Sequence, residues 1–124
     1  TKLVANAALA TKISFINEAA NICDAFDGNV MEVREGVCSD HRIGWEFYFP
    51  SVGYGGSCFP KDIRGLSFAS KLKGFAPRML AAVDETNNEQ KVYLAKRMDG
   101  FYEVHEGLDG KTIAIWGLRQ AQDR

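Results

Sequence analysis

Apolar side chains occupy nearly every face of a helical projection of residues 3 to 26. The polar exceptions fall in one stripe, roughly 60° wide at ~100° per residue. They are Lys2, Asn6, Asn17 and Asp24. We therefore predict a long first helix that ends near Gly28 and is buried on most sides. Its polar stripe lines a polar site, crosses a subunit interface or faces solvent, and the spacing alone does not choose between them.

Two shorter helices are predicted from capping residues. Asn29 is placed to cap the second helix, with Glu32 at the third helical position of a capping box. Turn-forming residues end this helix near residues 39–44. The third helix is predicted to begin at Pro60 and to close at Gly74.

A fourth helix is predicted from Pro77 to about Tyr102, because apolar residues keep a helical spacing there. Asn87 and Asn88 have low helix propensity and are expected to weaken its middle. Farther on, residues 111–117 form a β-branched apolar run that ends in glycine. This pattern is typical of a buried parallel strand that enters a nucleotide-binding α/β unit.

These elements predict a mainly α-helical fold in two parts. Residues 1–107 are expected to form a helical domain, and residues 108–124 to begin a second, α/β domain with a single strand. That strand needs neighbouring strands which this chain does not supply. The chain also begins inside a helical pattern, so we expect it to be a piece of a larger protein.

The segment between the second and third helices, residues 45–58, is rich in aromatic residues and glycine. It follows neither a helical nor a strand period. A loop of this length is uncommon in a compact domain unless it is functional, and its apolar content argues against disorder. We interpret it as an ordered binding loop.

Composition excludes several classes of protein. The chain has 124 residues, 46% of them hydrophobic and 25% charged, with a formal net charge of −1, which is typical of a globular domain. No basic cluster points to nucleic acid, and no apolar run reaches the ~18 residues of a membrane span. The three cysteines form no CxxC pair, which argues against a disulfide framework or a metal site and fits a reducing, cytosolic setting.

The strongest chemical signal is Cys58, which stands between a glycine-rich loop and a predicted helix start. Gly55 and Gly56 allow the backbone to approach a ligand closely. A helix N-terminus and the nearby Lys61 favour the thiolate, the nucleophilic form of sulfur. The segment therefore predicts covalent catalysis through sulfur. The alternative is a glycine loop that caps a helix, with Cys58 as a small buried hydrophobic residue.

Four blocks of the sequence, in this order, resemble the central domain of the UDP-glucose/GDP-mannose dehydrogenase family. They are residues 2–7, 12–18, 40–44 and 55–62. The segment around Cys58 is most similar to that of the family's UDP-glucose 6-dehydrogenases. The resemblance covers residues 2–118. It implies a helical central domain that dimerises through the first helix, followed by the first strand of a truncated Rossmann-like domain.

The resemblance implies an NAD-dependent oxidoreductase that oxidises C6 of UDP-glucose to the carboxylate of UDP-glucuronate. In this family a cysteine captures the intermediate aldehyde as a thiohemiacetal, which becomes a thioester and is hydrolysed. Cys58 matches that cysteine. Lys2 matches a lysine that contacts the reacting oxygen, and Asn6 lies one helical turn farther on. Asp62 matches an aspartate that orients or activates water.

Other matches concern binding. The loop that lies along the nucleotide sugar corresponds to Phe47, Tyr48, Phe49, Pro50, Ser51 and Gly55. Arg42 matches an arginine that crosses to the substrate of a neighbouring subunit, and Lys61 matches a residue that reaches NAD. The family holds NAD mainly through an N-terminal domain that is absent here, so the isolated chain is expected to be inactive. No metal is implied.

Two other functions remain open from the sequence. The chain is a segment of a GDP-mannose 6-dehydrogenase, or it is a helical dimerisation module without catalytic activity. The resemblance favours the UDP-glucose 6-dehydrogenase. We expect this enzyme to be a cytoplasmic homodimer that binds a UDP-sugar and has no nucleic-acid or membrane partner.

Overall fold

The structure is a computed structural model that describes residues 1–105 and 107–115. Within these residues the chain forms four helices. They are α1 (Lys2–Ala25), α2 (Val30–Cys38), α3 (Phe59–Leu72) and α4 (Arg78–Glu103). The mainly helical fold predicted from the sequence is thereby confirmed, and each helix begins and ends within about two residues of its predicted limits.

The caps explain where α1 ends and α2 begins. Backbone N–H groups of Phe26 and Gly28 donate to the carbonyl of Cys23, which closes α1. The Asn29 side chain then accepts a hydrogen bond from the N–H of Met31, as expected of a cap. Glu32 does not complete a capping box, because its carboxylate accepts from the side-chain amide of Asn29.

The helix α4 runs without interruption through Asn87 and Asn88. The expected weakening of its middle is therefore wrong. Asn87 is buried, and its side-chain amide bonds to the backbone of Tyr54 in the loop before α3. Tertiary hydrogen bonds override the low intrinsic propensity of this residue.

The core forms where small residues of α1 meet α3. Ala7 and Ala10 are buried and pack in one cluster with Ile63 of α3, Val83 of α4 and the loop residue Tyr54. Because alanine side chains are short, α1 lies directly against the first turns of α3. This contact places the start of α3, and with it Cys58, beside α1.

The opposite side of α1 is exposed. Val4 is 62% exposed, and Phe15 and Ile22 are each 54% exposed. The expectation that α1 is buried on most sides is therefore wrong for the single chain. Its buried residues, such as Ala10 and Asn17, face the other helices and the loop before α3.

The polar stripe of α1 faces the remainder of the domain. Asn6 donates to Asp62, Asn17 is fully buried, and Asp24 accepts a hydrogen bond from Tyr93. Lys2 alone of the stripe stays exposed without a recorded hydrogen bond among the described residues. The stripe thus supplies contacts within the domain along most of its length.

The chain divides into two compact units, Thr1–Leu94 and a second that begins at Ala95. In the second unit the ring of Phe101 stacks on that of His105, with centroids 4.5 Å apart. The residues 111–115 have no regular secondary structure, and Trp116 and Gly117 of the predicted strand lie outside the described residues. The strand and the domain limit at residue 107 stay predictions.

No helix in the described part of the chain combines the length and apolar character that crossing a bilayer requires.

Candidate active site

The loop at residues 45–58 is fastened to two helices by buried side-chain amides. Its residue Ser51 donates its N–H to the Oδ1 of Asn17 at 2.7 Å and accepts at its carbonyl from the Nε2 of Gln90 at 2.8 Å. Tyr54 donates its N–H to the Oδ1 of Asn87 at 2.7 Å and accepts from the Nδ2 of the same side chain at 3.0 Å. The loop is therefore ordered by hydrogen bonds, although it contains no helix or strand.

The aromatic part of this loop wraps around Arg34 of α2. The guanidinium carbon lies 4.9 Å from the ring centroid of Trp45 and 4.2 Å from that of Phe49. The Nε of Arg34 also donates to the carbonyl of Tyr48. Cation–π contacts and a charge-assisted hydrogen bond thus hold three loop residues on one side chain.

Two further contacts shape the predicted substrate loop. Lys12 of α1 donates to the carbonyl of Ile43 at 3.1 Å, and its ammonium lies 5.0 Å from the ring centroid of Tyr48. Phe47 has a left-handed backbone, with φ of 68°, and its ring meets that of Phe59 edge-on at 6.4 Å. Pro50 is half-buried, whereas Gly55 is exposed.

Cys58 is exposed and is the N-cap residue of α3. The buried-hydrophobe interpretation of this residue is therefore wrong. Its thiol is not a side-chain cap, and its nearest recorded polar partner is the hydroxyl of Ser57, at 3.8 Å. Cys38, by contrast, is 1% exposed, and Cys23 is half-buried. Of the three free thiols, Cys58 is the one that is exposed.

Asn6 and Asp62 meet across the contact between α1 and α3. The Nδ2 of Asn6 donates to the Oδ2 of Asp62 at 2.7 Å, and Asp62 is buried in the first turn of α3. A hydrogen bond to a buried carboxylate is stronger than one between neutral groups. Two residues that the resemblance assigned to one site are thereby brought together, one helical turn from Cys58.

The two predicted lysines and the predicted arginine are placed differently. Lys2 and Lys61 are exposed at the first turns of α1 and α3. Arg42 is exposed after α2 and forms a bidentate ion pair with Asp40 of its own turn. The pair raises the pKa of the Arg42 guanidinium and lowers the pKa of Asp40. Among the described residues, the hydrogen bonds of Arg42 all go to Asp40 and none brings it to Cys58.

Burial raises the pKa of Tyr54 to about 12. The negative charge of Asp84 contributes to this rise in pKa, and the positive charge of Arg64 opposes it. Arg64 and Asp84 themselves form an ion pair at 3.2 Å. The Tyr54 hydroxyl is buried and has no hydrogen-bond partner among the described residues. The neutral phenol is therefore the form that the fold accepts.

Three structurally important residues escaped the sequence analysis: Arg34, Asn87 and Gln90. Asn87 and Gln90 follow Val83 by four and seven residues, so all three lie on one side of α4. Polar residues at core-facing positions could have marked Asn87 and Gln90 as partners of a buried backbone. The sequence offers no comparable signal for Arg34.

A model described as "UDP-glucose/GDP-mannose dehydrogenase family, central domain" matches residues 1–89. This chain belongs to the UDP-glucose/GDP-mannose dehydrogenase family. Among its relatives, the UDP-glucose 6-dehydrogenase of Pseudomonas aeruginosa is 44% identical over 119 residues, which cover 95% of this chain and 26% of the relative. The UDP-glucose 6-dehydrogenase AglM of Haloferax volcanii is 41% identical over 94% of this chain and 26% of its own length.

A solved structure shows the same similarity. The UDP-glucose dehydrogenase of the hyperthermophilic archaeon Pyrobaculum islandicum superposes with a TM-score of 0.67 at 30% identity, over 85% of this chain and 23% of that one. The family resemblance read from the four sequence blocks is confirmed. The chain spans about a quarter of the length of the curated relatives it matches. The roles of the individual site residues stay predictions.

Removal of the Tyr54 hydroxyl tests the electrostatic description of the loop. The phenol proton of Tyr54 is bound more tightly in the folded than in the unfolded chain. Its contribution to the free energy of unfolding is therefore fully present below pH 10 and is lost as the pH rises through about 12. We expect the Tyr54→Phe variant to have nearly the wild-type free energy of unfolding at pH 7. Between pH 10 and 12 its free energy of unfolding should fall less than that of the wild type. Urea unfolding midpoints of both proteins measure this, and parallel midpoint curves would contradict it.

A double-mutant cycle tests the contact between α1 and α3. We expect Asn6→Ala and Asp62→Ala to be coupled by about 0.5–3 kcal/mol in the free energy of unfolding, because each removes the other's partner. Asn6→Ala with Lys71→Ala is the control, since Lys71 is exposed and lies nine residues along α3 from Asp62. Additivity of the first pair, as well as of the second, would refute the hydrogen bond as a stabilising contact.

Proposed function

We propose that this chain is the central segment of an NAD-dependent UDP-glucose 6-dehydrogenase, which makes UDP-glucuronate. The observation that carries the proposal is the exposed Cys58 at the tip of α3, next to a loop held in place by buried amides. Asn6 and Asp62 lie one helical turn from it on facing helices. The names of the relatives support the choice of UDP-glucose over GDP-mannose.

The role of Cys58 follows from the chemistry of the aldehyde intermediate. Its thiolate adds to the aldehyde carbon, a C–S bond forms, and the oxygen takes up a proton to give a thiohemiacetal. Removal of two electrons and two protons from this adduct gives a thioester, and water then releases the carboxylate and restores the thiol. A free aldehyde would hydrate and diffuse away, whereas the covalent adduct is retained for the second oxidation.

Three polar side chains would serve this adduct. The ammonium of Lys2 stabilises negative charge on the C6 oxygen, and the amide of Asn6 is oriented towards the same region by its hydrogen bond to Asp62. Asp62 orients or activates the water that hydrolyses the thioester. In this account, burial of Asp62 against Asn6 fixes both groups before substrate binds.

The sugar nucleotide would lie along the loop of residues 47–51 and over Gly55. The contacts of Arg34 and Lys12 with this loop leave its shape set in advance, which lowers the entropy lost on binding. Arg42 would reach the substrate of a neighbouring subunit. Its ion pair with Asp40 would have to open or be shared when it does so.

NAD would supply the two-electron acceptor for both oxidations. On this chain the candidate contact is Lys61, which is exposed in the first turn of α3, and no ion pair occupies it within the described residues. An ammonium at a helix N-terminus fits a phosphate group. Because one lysine does not make a dinucleotide site, we place the remainder of the NAD cradle outside this chain. The isolated chain is then inactive.

The remaining parts of the proposal concern the surroundings of this segment. Residues 111–117 would form the first strand of a Rossmann-like domain whose other strands supply its pairing. We propose a cytoplasmic enzyme, and the free thiols support this, because reduced cysteines fit a reducing compartment. Among the described residues, no group of three or more His, Cys, Asp or Glu could hold a metal ion, and the proposed chemistry calls for none.

The exposed side of α1 would pair two copies of the chain. Val4, Phe15 and Ile22 project within about 20° of one another at ~100° per residue, opposite the polar stripe. A long apolar stripe on a helix is a surface that needs a partner. The same observation supports the second candidate function, a dimerisation module without catalytic activity.

Replacement of the nucleophile tests the dehydrogenase proposal. In the complete enzyme, Cys58→Ser should lower formation of the sugar acid on the order of 10³-fold or more, because the aldehyde is no longer captured as a thioester precursor. Cys23→Ser is the control, since this thiol is half-buried on α1 away from the loop. Product analysis by mass spectrometry measures the yield, and an unimpaired yield from Cys58→Ser would refute the mechanism.

Substitution of the apolar side of α1 tests the assembly. At micromolar concentration we expect the chain to be a dimer and Ile22→Glu to be a monomer, because a charge would be buried in the contact. Leu72→Glu, at a 71% exposed position of α3, is the matched control and should remain dimeric. Light scattering after size exclusion gives the mass. A monomeric wild-type chain would contradict dimerisation through α1.

A further inference from the structure

Asn87 makes both of its hydrogen bonds to the backbone of one loop residue. Its side chain is 1% exposed. The Oδ1 accepts from the N–H of Tyr54 at 2.7 Å, and the Nδ2 donates to the carbonyl of Tyr54 at 3.0 Å. This two-point pairing is what a neighbouring β-strand would supply, here provided by an amide side chain on a helix.

The backbone conformation of Gly53 and its lack of a Cβ make room for the side chain of Asn87. Its backbone has φ of 91°, a region that side chains with a Cβ rarely adopt. A Cβ built at Gly53 would lie 2.6 Å from the Oδ1 of Asn87, which is closer than real contacts allow. Gly53 and Asn87, which are far apart in the sequence, therefore together allow the side chain of Asn87 to approach the loop backbone closely.

A second pair of hydrogen bonds from side-chain amides, which with the pair at Tyr54 we call the two grips, lies three residues earlier in the loop. Ser51 is held at its N–H by Asn17 and at its carbonyl by Gln90. Gln90 is buried one turn beyond Asn87 on α4, and it also accepts from Asn21 of α1 at 2.9 Å. The backbones of Ser51 and Tyr54 are thus each bonded at both polar groups by amide side chains.

These grips stand immediately before the nucleophile. Only Gly55, Gly56 and Ser57 separate Tyr54 from Cys58, and Cys58 is in turn attached to α3, whose Ile63 is fully buried. The path of the three intervening residues is therefore fixed at both ends. Loss of the anchor at Tyr54 would leave two glycines, which have the freest backbones, to set the position of the thiol.

We propose that Asn87 is a positioning residue for Cys58, acting with Gln90 by clamping the loop at Tyr54 and Ser51. The inference rests on the proposed function. It concerns one step in particular, because the clamp places the thiol against the aldehyde, whereas the first oxidation does not use sulfur. Since the clamp also holds the substrate loop at Ser51, its loss should raise the KM for the sugar nucleotide as well, and the test is therefore made at saturating substrate. Misplacement of a reacting group by about 1 Å slows a step by as much as ~100-fold.

The stoichiometry of the reaction separates this role from plain stabilisation. In the complete dehydrogenase, wild type should form two NADH per sugar consumed. Asn87→Ala should move this ratio towards one and release aldehyde, with formation of the acid at least ~10-fold slower. A variant that is merely less stable loses active protein, which slows both oxidations equally and keeps the ratio at two.

Asn88→Ala is the matched control, because Asn88 is the adjacent residue of α4, exposed and bonded only to Lys91 among the described residues. It should keep the ratio of two. Gln90→Met, which removes the grip on Ser51 and keeps a side chain of similar length, is the second variant should Asn87→Ala not fold. Amide hydrogen exchange at Tyr54 should accelerate in Asn87→Ala and not in Asn88→Ala.

The outcomes are distinct. A ratio of two and normal acid formation in both Asn87→Ala and Gln90→Met would overturn the positioning role while leaving the dehydrogenase assignment intact. Absence of UDP-glucuronate from the wild-type enzyme would overturn the proposed function, and this inference with it. Accelerated amide exchange at Tyr54 without a change in the ratio of NADH to sugar would show that Asn87 only stabilises the loop, which also overturns the proposal.

Discussion

Hydrogen bonds from buried side-chain amides to the backbone of an irregular loop are the constraint on which this domain depends. A loop that enters the core without strand pairing leaves N–H and C=O groups that no strand satisfies, and each such group that is buried and unpaired costs about 1–3 kcal/mol. Asn17, Asn87 and Gln90 remove that cost at Ser51 and Tyr54. With its backbone satisfied, the loop can place Tyr54 in the core while Cys58 remains at the surface.

The packing of α1 against α3 determines how the residues of the candidate site are arranged. The alanines that let α3 approach also set the distance across which Asn6 reaches Asp62. One side of α1 therefore organises the candidate site, while Phe15 and Ile22 on its opposite side remain exposed. A single helix thus links the proposed chemistry to the proposed assembly.

Local signals in the sequence were sufficient for the helices and for the position of Cys58 at the start of α3. The glycine loop before Cys58, Pro60 in the first turn and the Asn29 cap each act over a few residues, and the helices they predict are present. The loop contacts could not be predicted in this way, because Asn87 bonds a residue 33 positions away. Helix propensity describes Asn87 as a weak point, whereas its burial makes it an anchor. The pattern of apolar residues on α1 predicted burial on most sides without saying which chain buries them. The expectation that a second copy covers part of this helix came from the family resemblance alone.

Reaction of the three cysteines with iodoacetamide near pH 7 tests the central claim most directly. We expect Cys58 to be alkylated before Cys23 and Cys38 in the folded chain, because the loop holds Cys58 at the surface while Cys38 is buried and Cys23 is half-buried. In the chain unfolded in urea this order should be lost. Equal labelling of all three cysteines in the folded chain would contradict this.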